Sequence, residues 1–215
     1  YLHQNIEGNI RFKRINHVWE KGKCKYCGAS ESNYLRSSDL ETHAYELIHK
    51  TNVKEIFKMK FDVIVSNPPY QLSDGGNAAS ASPIYQYFVN QAIKLNPRYL
   101  TMIIPARWYA GGKGLDSFRA DMLSKKHIKE LYDIPNSADC FPGVNIAGGV
   151  CYFLWDKNYD GQCNVHNLTN GDVTTNEIRN LNEFDFFVRN NKALKIIRKV
   201  LKKQSKNHGS NSIIP

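Results

Sequence analysis

Phe61-Asp62-Val63-Ile64-Val65-Ser66-Asn67-Pro68-Pro69-Tyr70 begins as a strand and stops abruptly. Phe61, Val63, Ile64 and Val65 make a short apolar run rich in β-branched residues, which predicts a buried parallel strand. Pro68 and Pro69 cannot donate to a ladder, and each biases the residue before it away from helix. Asn67 therefore falls at the carboxyl end of the strand, on a stiff extended turn. In open α/β sheets that end is where ligands bind.

The groups presented there suit one kind of chemistry. The Asn67 side-chain oxygen and the Pro68 carbonyl are pure acceptors. Together they can hold both hydrogens of a planar amino group while Tyr70 stacks on the ring that carries it. Drawing those hydrogens out of plane localises the nitrogen lone pair, so an amide serves where a general base is not needed. The plain alternative is a turn punctuated by Pro-Pro, but a strand ending in Asn-Pro-Pro-Tyr favours the functional reading.

Working outward, residues 73–82 are small, polar and Gly-rich and read as a loop beside the site. Ile84, Tyr87, Phe88, Ala92, Ile93 and Leu95 recur at helical spacing up to Asn96-Pro97. Tyr99 to Ile104 reads as a second strand, ended by Pro105, with Ala106 to Gly112 as its exit loop. Leu115 to Leu123 reads as an amphipathic helix and Ile128 to Ile134 as a third strand. Strand, helix, strand, helix, strand implies right-handed crossovers and a parallel sheet. A short link then leads to a fourth strand, Gly148 to Trp155, which predicts an antiparallel hairpin partner. The expected class is α/β, mostly parallel with one reversed strand.

Upstream, Cys24-x-x-Cys27-Gly28 is a turn that sets two thiolates on one tetrahedral ion. His17, His43 and His49 are the nearby imidazoles. His17 shares a predicted hairpin with the cysteines, and the segment resembles zinc knuckles of the form His-x-Trp…Gly-x-Cys-x-x-Cys-Gly. The expected ligand set is His17, Cys24, Cys27 and His43, against the alternative of free thiols and ordinary surface histidines. Ser37 to Glu41 offers a cap for a helix through Ala44, Tyr45, Leu47 and Ile48. Residues 53–59 read as a linking turn or short helix.

The 215 residues carry a formal net charge of +9, which suits a polyanionic partner. No apolar run is long enough for a bilayer and no signal-peptide pattern is present, so the chain reads as soluble and cytoplasmic. Five cysteines, only two of them close together, make no disulfide framework. Turns are expected to dominate residues 159–171. Ala193 to Leu201 reads as a helix with a basic face of Lys192, Lys195, Arg198, Lys199, Lys202, Lys203 and Lys206. Arg107, Lys199, Lys202 and Lys203 are the candidate contacts to the phosphates of such a polyanion, with a merely solvated helix as the alternative.

Asn67-Pro68-Pro69-Tyr70, continued by Gln71-Leu72-Ser73-Asp74-Gly75-Gly76, resembles the catalytic motif of S-adenosylmethionine-dependent methyltransferases. It looks most like the adenine-specific DNA methyltransferases of restriction–modification systems, with gamma-type motif order. The resemblance implies a partial Rossmann-like methyltransferase sheet with a small N-terminal zinc-knuckle insertion, and catalytic Asn67, Pro68, Pro69 and Tyr70. It also implies a base clamp of Tyr70 and Phe153, with Tyr152 as the fallback ring. It covers roughly residues 56–155. The family's Gly-rich cofactor loop is missing: Gly111-Gly112-Lys113-Gly114 follows the wrong strand. The chain therefore reads as a piece of a larger methylase with an incomplete cofactor pocket. The expected division is a knuckle segment (1–55), the catalytic half (56–157) and the start of a target-recognition region (158–215). Double-stranded DNA and the missing N-terminal half, or a restriction subunit, are the implied partners. An RNA or protein-glutamine methyltransferase, or a non-catalytic DNA-specificity module, are the alternatives.

Overall fold

A computed structural model describes residues 14–34, 44–57, 59–72, 82–184 and 187–207. The chain divides into two compact units, one of Tyr1–Ile104 with Lys113–Leu115, the other of Pro105–Gly112 with Asp116–Pro215.

The first unit opens with β1 (Arg14–Ile15), β2 (Trp19–Glu20) and β3 (Lys23–Cys24). Lys21 and Gly22 join β2 to β3 with φ of 53° and 75°, the two left-handed residues of a type I′ hairpin turn. Then come α1 (Glu31–Tyr34), β4 (Ala44–Tyr45), which pairs antiparallel with β1, and the single turn of α2 (Glu46–His49). The helix expected through Ala44 to Ile48 is thus half strand, and its Ser37 to Glu41 cap lies outside the described residues. A 3-10 turn, Val53–Glu55, leads to β5 (Val63–Ser66), α3 (Tyr85–Lys94) and β6 (Tyr99–Pro105). In α3 the residues Tyr85, Phe88, Val89 and Ala92 are buried at helical spacing, along one apolar stripe. The helix stops because Asn96 takes a left-handed φ of 61° and Pro97 cannot continue it.

β5 and β6 pair in parallel, Val63 opposite Tyr99 and Val65 opposite Thr101. The expectation of a buried strand fails for β5: Val63 is 53% and Val65 74% exposed. Among the described residues β6 is its only ladder partner, so its outer edge and one face stay open. Composition reports the apolar surface a strand offers, not whether anything covers it.

The second unit begins with a 3-10 turn (Ala106–Tyr109) and α4 (Asp116–Ser124), followed by β7 (Ile128–Ile134), β8 (Val150–Asp156), β9 (Cys163–Thr169), β10 (Asp172–Arg179) and α5 (Asn191–Asn207). Its strands lie in the order β10-β9-β7-β8. β8 runs antiparallel to β7, as the short link predicts, with Leu131 opposite Phe153 and Tyr132 opposite Tyr152. Gly149 makes that return possible. It has a φ of 74°, and a Cβ there would run into the Ile134 and Pro135 carbonyls. β9 is parallel to β7, while β10 reverses again. Much of the segment expected to be turns, residues 159–171, is therefore β9, the first arm of a strand hairpin, a correction with a visible cause. Cys163 and Val165 alternate inward while Asn164 and His166 stay half-exposed, a period of two in a polar-looking stretch. Leu131, Phe153 and Val165 are fully buried and adjacent across three strands, and form the centre of this unit's core. The architecture is mixed α/β, with parallel pairs β5–β6 and β7–β9 and reversed strands β8 and β10.

Candidate functional site

Asn67 leaves the end of β5 exposed to solvent, with Pro68 buried and Pro69 and Tyr70 half-buried behind it. The turn is fastened downstream rather than left loose. The Ile84 amide donates to the Tyr70 carbonyl at 3.0 Å, and the Leu72 amide donates to the Ser82 carbonyl at 3.1 Å. Gln71 bridges Pro83 between them. The segment after the motif is thus pinned to the N-terminal entry of α3.

Beside Asn67 lies a cleft of about 500 Å³, lined among others by Phe57, Phe61, Val65, Pro69, Phe88 and Met102. Its size and mostly apolar lining are those of a small-molecule site. Phe57 and Phe61 meet edge to face at 5.0 Å on its wall. Tyr45 and Leu47, from β4 and α2, line the same cleft.

In the same unit, His17, Cys24, Cys27 and His49 bring one ligand atom each within 4.8 Å of one another, all four buried. Cys24 Sγ is 3.4 Å from His49 Nε2 and Cys27 Sγ is 3.5 Å from His17 Nδ1. Ligands bonded at 2.0–2.3 Å to one tetrahedral ion stand roughly 3.5 Å apart, so these pairs fit a shared metal. The local sequence builds the arrangement. Gly28 takes a φ of 73°, and the turn closes with the Gly28 amide on the Cys24 carbonyl and the Cys24 amide on the Ala29 carbonyl. That aims both thiols inward. His49 Nδ1 donates to the Tyr45 carbonyl at 2.8 Å, which fixes the proton there and leaves Nε2 as the ligand atom. Burial pushes the Cys27 thiol up to about 12, so this pocket disfavours a thiolate until a cation is present to pair with it. Burial also lowers His49, against the opposing bond to Tyr45, which favours the neutral imidazole a metal requires. The donor set can hold a metal ion, and two thiols with two imidazoles are the donors zinc prefers.

His49 stands where the sequence-derived set had His43, and His43 lies outside the described residues. All three histidines were candidates. Spacing alone did not reveal that the single turn of α2 carries His49 to the thiols.

Phe153, expected to stack on a base, has a fully enclosed ring. A base cannot reach it without opening the core of the second unit. The pleat sends Cys151, Phe153 and Trp155 inward and leaves Tyr152 half-exposed, stacked on Tyr132 at 4.5 Å, with Tyr132 in turn stacked on His166 at 4.2 Å. Arg107 is exposed on its 3-10 turn, whereas its neighbour Trp108 is fully buried with its indole N–H on Cys151 Sγ.

On α5, Lys199, Lys202 and Lys203 are exposed. Arg198 leaves the expected basic face, because its guanidinium is engaged by Glu183 at 2.6 and 2.7 Å and by Glu177 at 2.8 Å. The pairing of buried Asp133 with half-buried Arg189, at 2.7 Å, went unforeseen. Arg189 also donates to the Gly148 carbonyl, and so ties the chain entering α5 to the turn before β8. Nothing in the spacing of these residues announces them.

Residues 1–141 match the family described as Eco57I restriction-modification methylase, and the chain belongs to that family. A relative from Mycoplasma pneumoniae, described as an uncharacterized adenine-specific methylase, is 42% identical over 175 residues, covering 74% of this chain. The match covers 41% of that relative, so this chain spans about two fifths of its length. Among solved structures, a type I restriction-modification methyltransferase subunit from Streptococcus thermophilus aligns over 78% of this chain and 36% of its own, at 15% identity and a TM-score of 0.41. The EcoKI M protein aligns over 50% of this chain and 25% of its own, at 20% identity and a TM-score of 0.34. No helix among the described residues is long and apolar enough to cross a membrane.

Proposed function

We propose that this chain is the part carrying the catalytic Asn-Pro-Pro-Tyr motif of a DNA methyltransferase of a restriction–modification system, which moves a methyl group from S-adenosylmethionine to the exocyclic amino group of adenine. The observation that carries the reading is Asn67, exposed at the carboxyl end of β5 on a Pro-Pro turn beside an apolar cleft of about 500 Å³. Family membership and the adenine-specific description of the relative support it. The roles follow from donor and acceptor chemistry. The Asn67 oxygen and the Pro68 carbonyl accept the two amino hydrogens, Pro69 stiffens the turn, and Tyr70 stacks on the adenine ring. An amino group inside a duplex is out of reach, so the base is flipped from the stack.

Within this reading, S-adenosylmethionine supplies the electrophilic methyl group. This chain's own residues orient the acceptor nitrogen and keep the cleft apolar. The exposed Val63 and Val65 offer an apolar surface that a cofactor-binding half, or a restriction subunit, would cover. The residues proposed to meet DNA are Arg107, Lys199, Lys202 and Lys203. The proposed metal is zinc, held by His17, Cys24, Cys27 and His49 in the reducing cytoplasm, where such thiols stay unoxidised.

The test is Asn67→Ala in the intact enzyme, scored by transfer of labelled methyl to DNA. Turnover is expected to fall by roughly two orders of magnitude or more, as when other preorganised polar groups are removed, with DNA affinity largely kept. Turnover near the wild-type value overturns the role.

A further inference from the structure

The four-ligand centre is built into the same core as the Asn67 turn. Cys24, Cys27, Ala29 and Ile48 form one buried cluster with Leu72, Ile84 and Phe88. Leu72 lies two residues after Tyr70, and Ile84 is the residue whose amide holds the Tyr70 carbonyl. The two thiols therefore pack into one core with the side chains that seat the end of the motif.

A second connection runs through α3. Buried Gln91 donates from one amide nitrogen to the Leu47 carbonyl at 2.8 Å and to the Lys50 carbonyl at 2.7 Å. Those carbonyls lie within and just beyond α2, the single turn that carries His49. One turn of helix makes little hydrogen bonding of its own, so α2 depends on such outside bonds to keep its place. One turn from Gln91 on the same helix, Phe88 meets the Tyr45 ring edge to face at 5.5 Å, and Tyr45 gives its carbonyl to His49. Tyr45, Leu47 and Phe88 then reappear as walls of the cleft at Asn67.

We propose that the His17–Cys24–Cys27–His49 centre is a positioning device for the Asn67–Tyr70 turn, with Gln91 and Phe88 of α3 as its strut. The proposal rests on the reading of the cluster as a zinc site. Bound Zn²⁺ holds α2 and the Cys24–Cys27 turn in one geometry. The shared core and the Gln91 bonds transmit that geometry to the cleft wall and to the seat of Tyr70. Loss of metal loosens the turn before it unfolds anything else. Coupling of this kind is reciprocal, so a change in the strut that touches no ligand also loosens the metal.

Two measurements test it on the 215-residue chain. Amide hydrogen exchange is followed by NMR with Zn²⁺ bound and after stripping by a chelator. The Leu72 and Ile84 amides are expected to exchange about five- to 150-fold faster without metal, the range ordinary coupling spans, while amides of β7 and β9 keep their rates. Zn²⁺ release to a chromogenic chelator is then timed for Gln91→Leu, which keeps all four ligands and removes both carbonyl bonds. Release is expected to accelerate by a factor in the same range. Should Gln91→Leu not fold, Phe88→Leu serves in its place with the same expectation. A chain that binds no Zn²⁺ overturns the metal reading, and the device with it. Zn²⁺ that binds and leaves without changing Leu72 and Ile84 exchange keeps the metal and overturns the coupling. Faster exchange in β7 and β9 as well makes the metal a global folding element, and equally overturns a positioning role.

Discussion

At the scale of single residues, His49 completes a buried group of four side chains that could hold a metal ion. His43 and His49 are equally good donors by type. His49 donates its Nδ1–H to the Tyr45 carbonyl, which leaves Nε2 facing Cys24 Sγ at 3.4 Å. About one zinc per chain is expected, the content of one four-ligand site. His49→Ala and Cys24→Ser are each expected to lose it, and His43→Ala to retain it. Elemental analysis of the purified variants checks this, and metal lost from the His43 variant but kept by the His49 variant would restore the sequence-derived set. Asn67 shows the opposite case, because its place follows from the two prolines after it and needed no tertiary information.

At the scale of elements, β8 shows what alternation does to a functional guess. Two neighbouring rings, Phe153 and Tyr152, point to opposite faces. Phe153 is enclosed opposite Leu131, so Phe153→Ala is expected to cost roughly 3–5 kcal/mol of stability, as truncation of a buried aromatic does. Tyr152 is half-buried in a stack of rings with Tyr132 and His166, and its loss is expected to cost only about 1 kcal/mol, since much of the ring is already in water. Chemical denaturation of the two variants, monitored in the second unit, measures both. Equal losses would mean that the two faces of β8 are packed alike.

At the scale of the whole molecule, charge is the property that reaches furthest. The chain carries +9, and α5 concentrates part of it in Lys195, Lys199, Lys202 and Lys203, while Arg198 is committed to Glu177 and Glu183. The exposed Ile196, at 67%, and Val200, at 49%, interrupt that basic surface, so the helix is not a uniform phosphate rail. If it lies on DNA, affinity falls steeply with salt. The Lys199/Lys202/Lys203 triple alanine variant then lowers the slope of log affinity against log salt by about one for each lysine that sat on a phosphate. A salt titration of duplex binding in the intact enzyme reads the slope. An unchanged slope returns α5 to a solvated surface helix.

The Asn-Pro-Pro-Tyr turn, β6, β7, β8 and α3 were legible in the amino-acid order because each is a local affair. A β-branched run, a stop by proline or a helical stripe needs no knowledge of what lies across the core. The Cys24-x-x-Cys27-Gly28 turn was legible for the same reason, since a positive φ at Gly28 is a local requirement. Tertiary structure alone decided the rest, and in each case the missing fact was a distant partner. The place of His49 is set by α2, whose Leu47 carbonyl and the Lys50 carbonyl just beyond it accept from Gln91, more than forty residues on. The enclosure of Phe153 depends on which face of β8 meets the core. β9 hid in a polar-looking stretch because only half of a half-buried strand is apolar, and pairing with β7 and β10, rather than composition, makes it a strand. Burial of Asp133 against Arg189 spans 56 residues, and no spacing rule reaches that far.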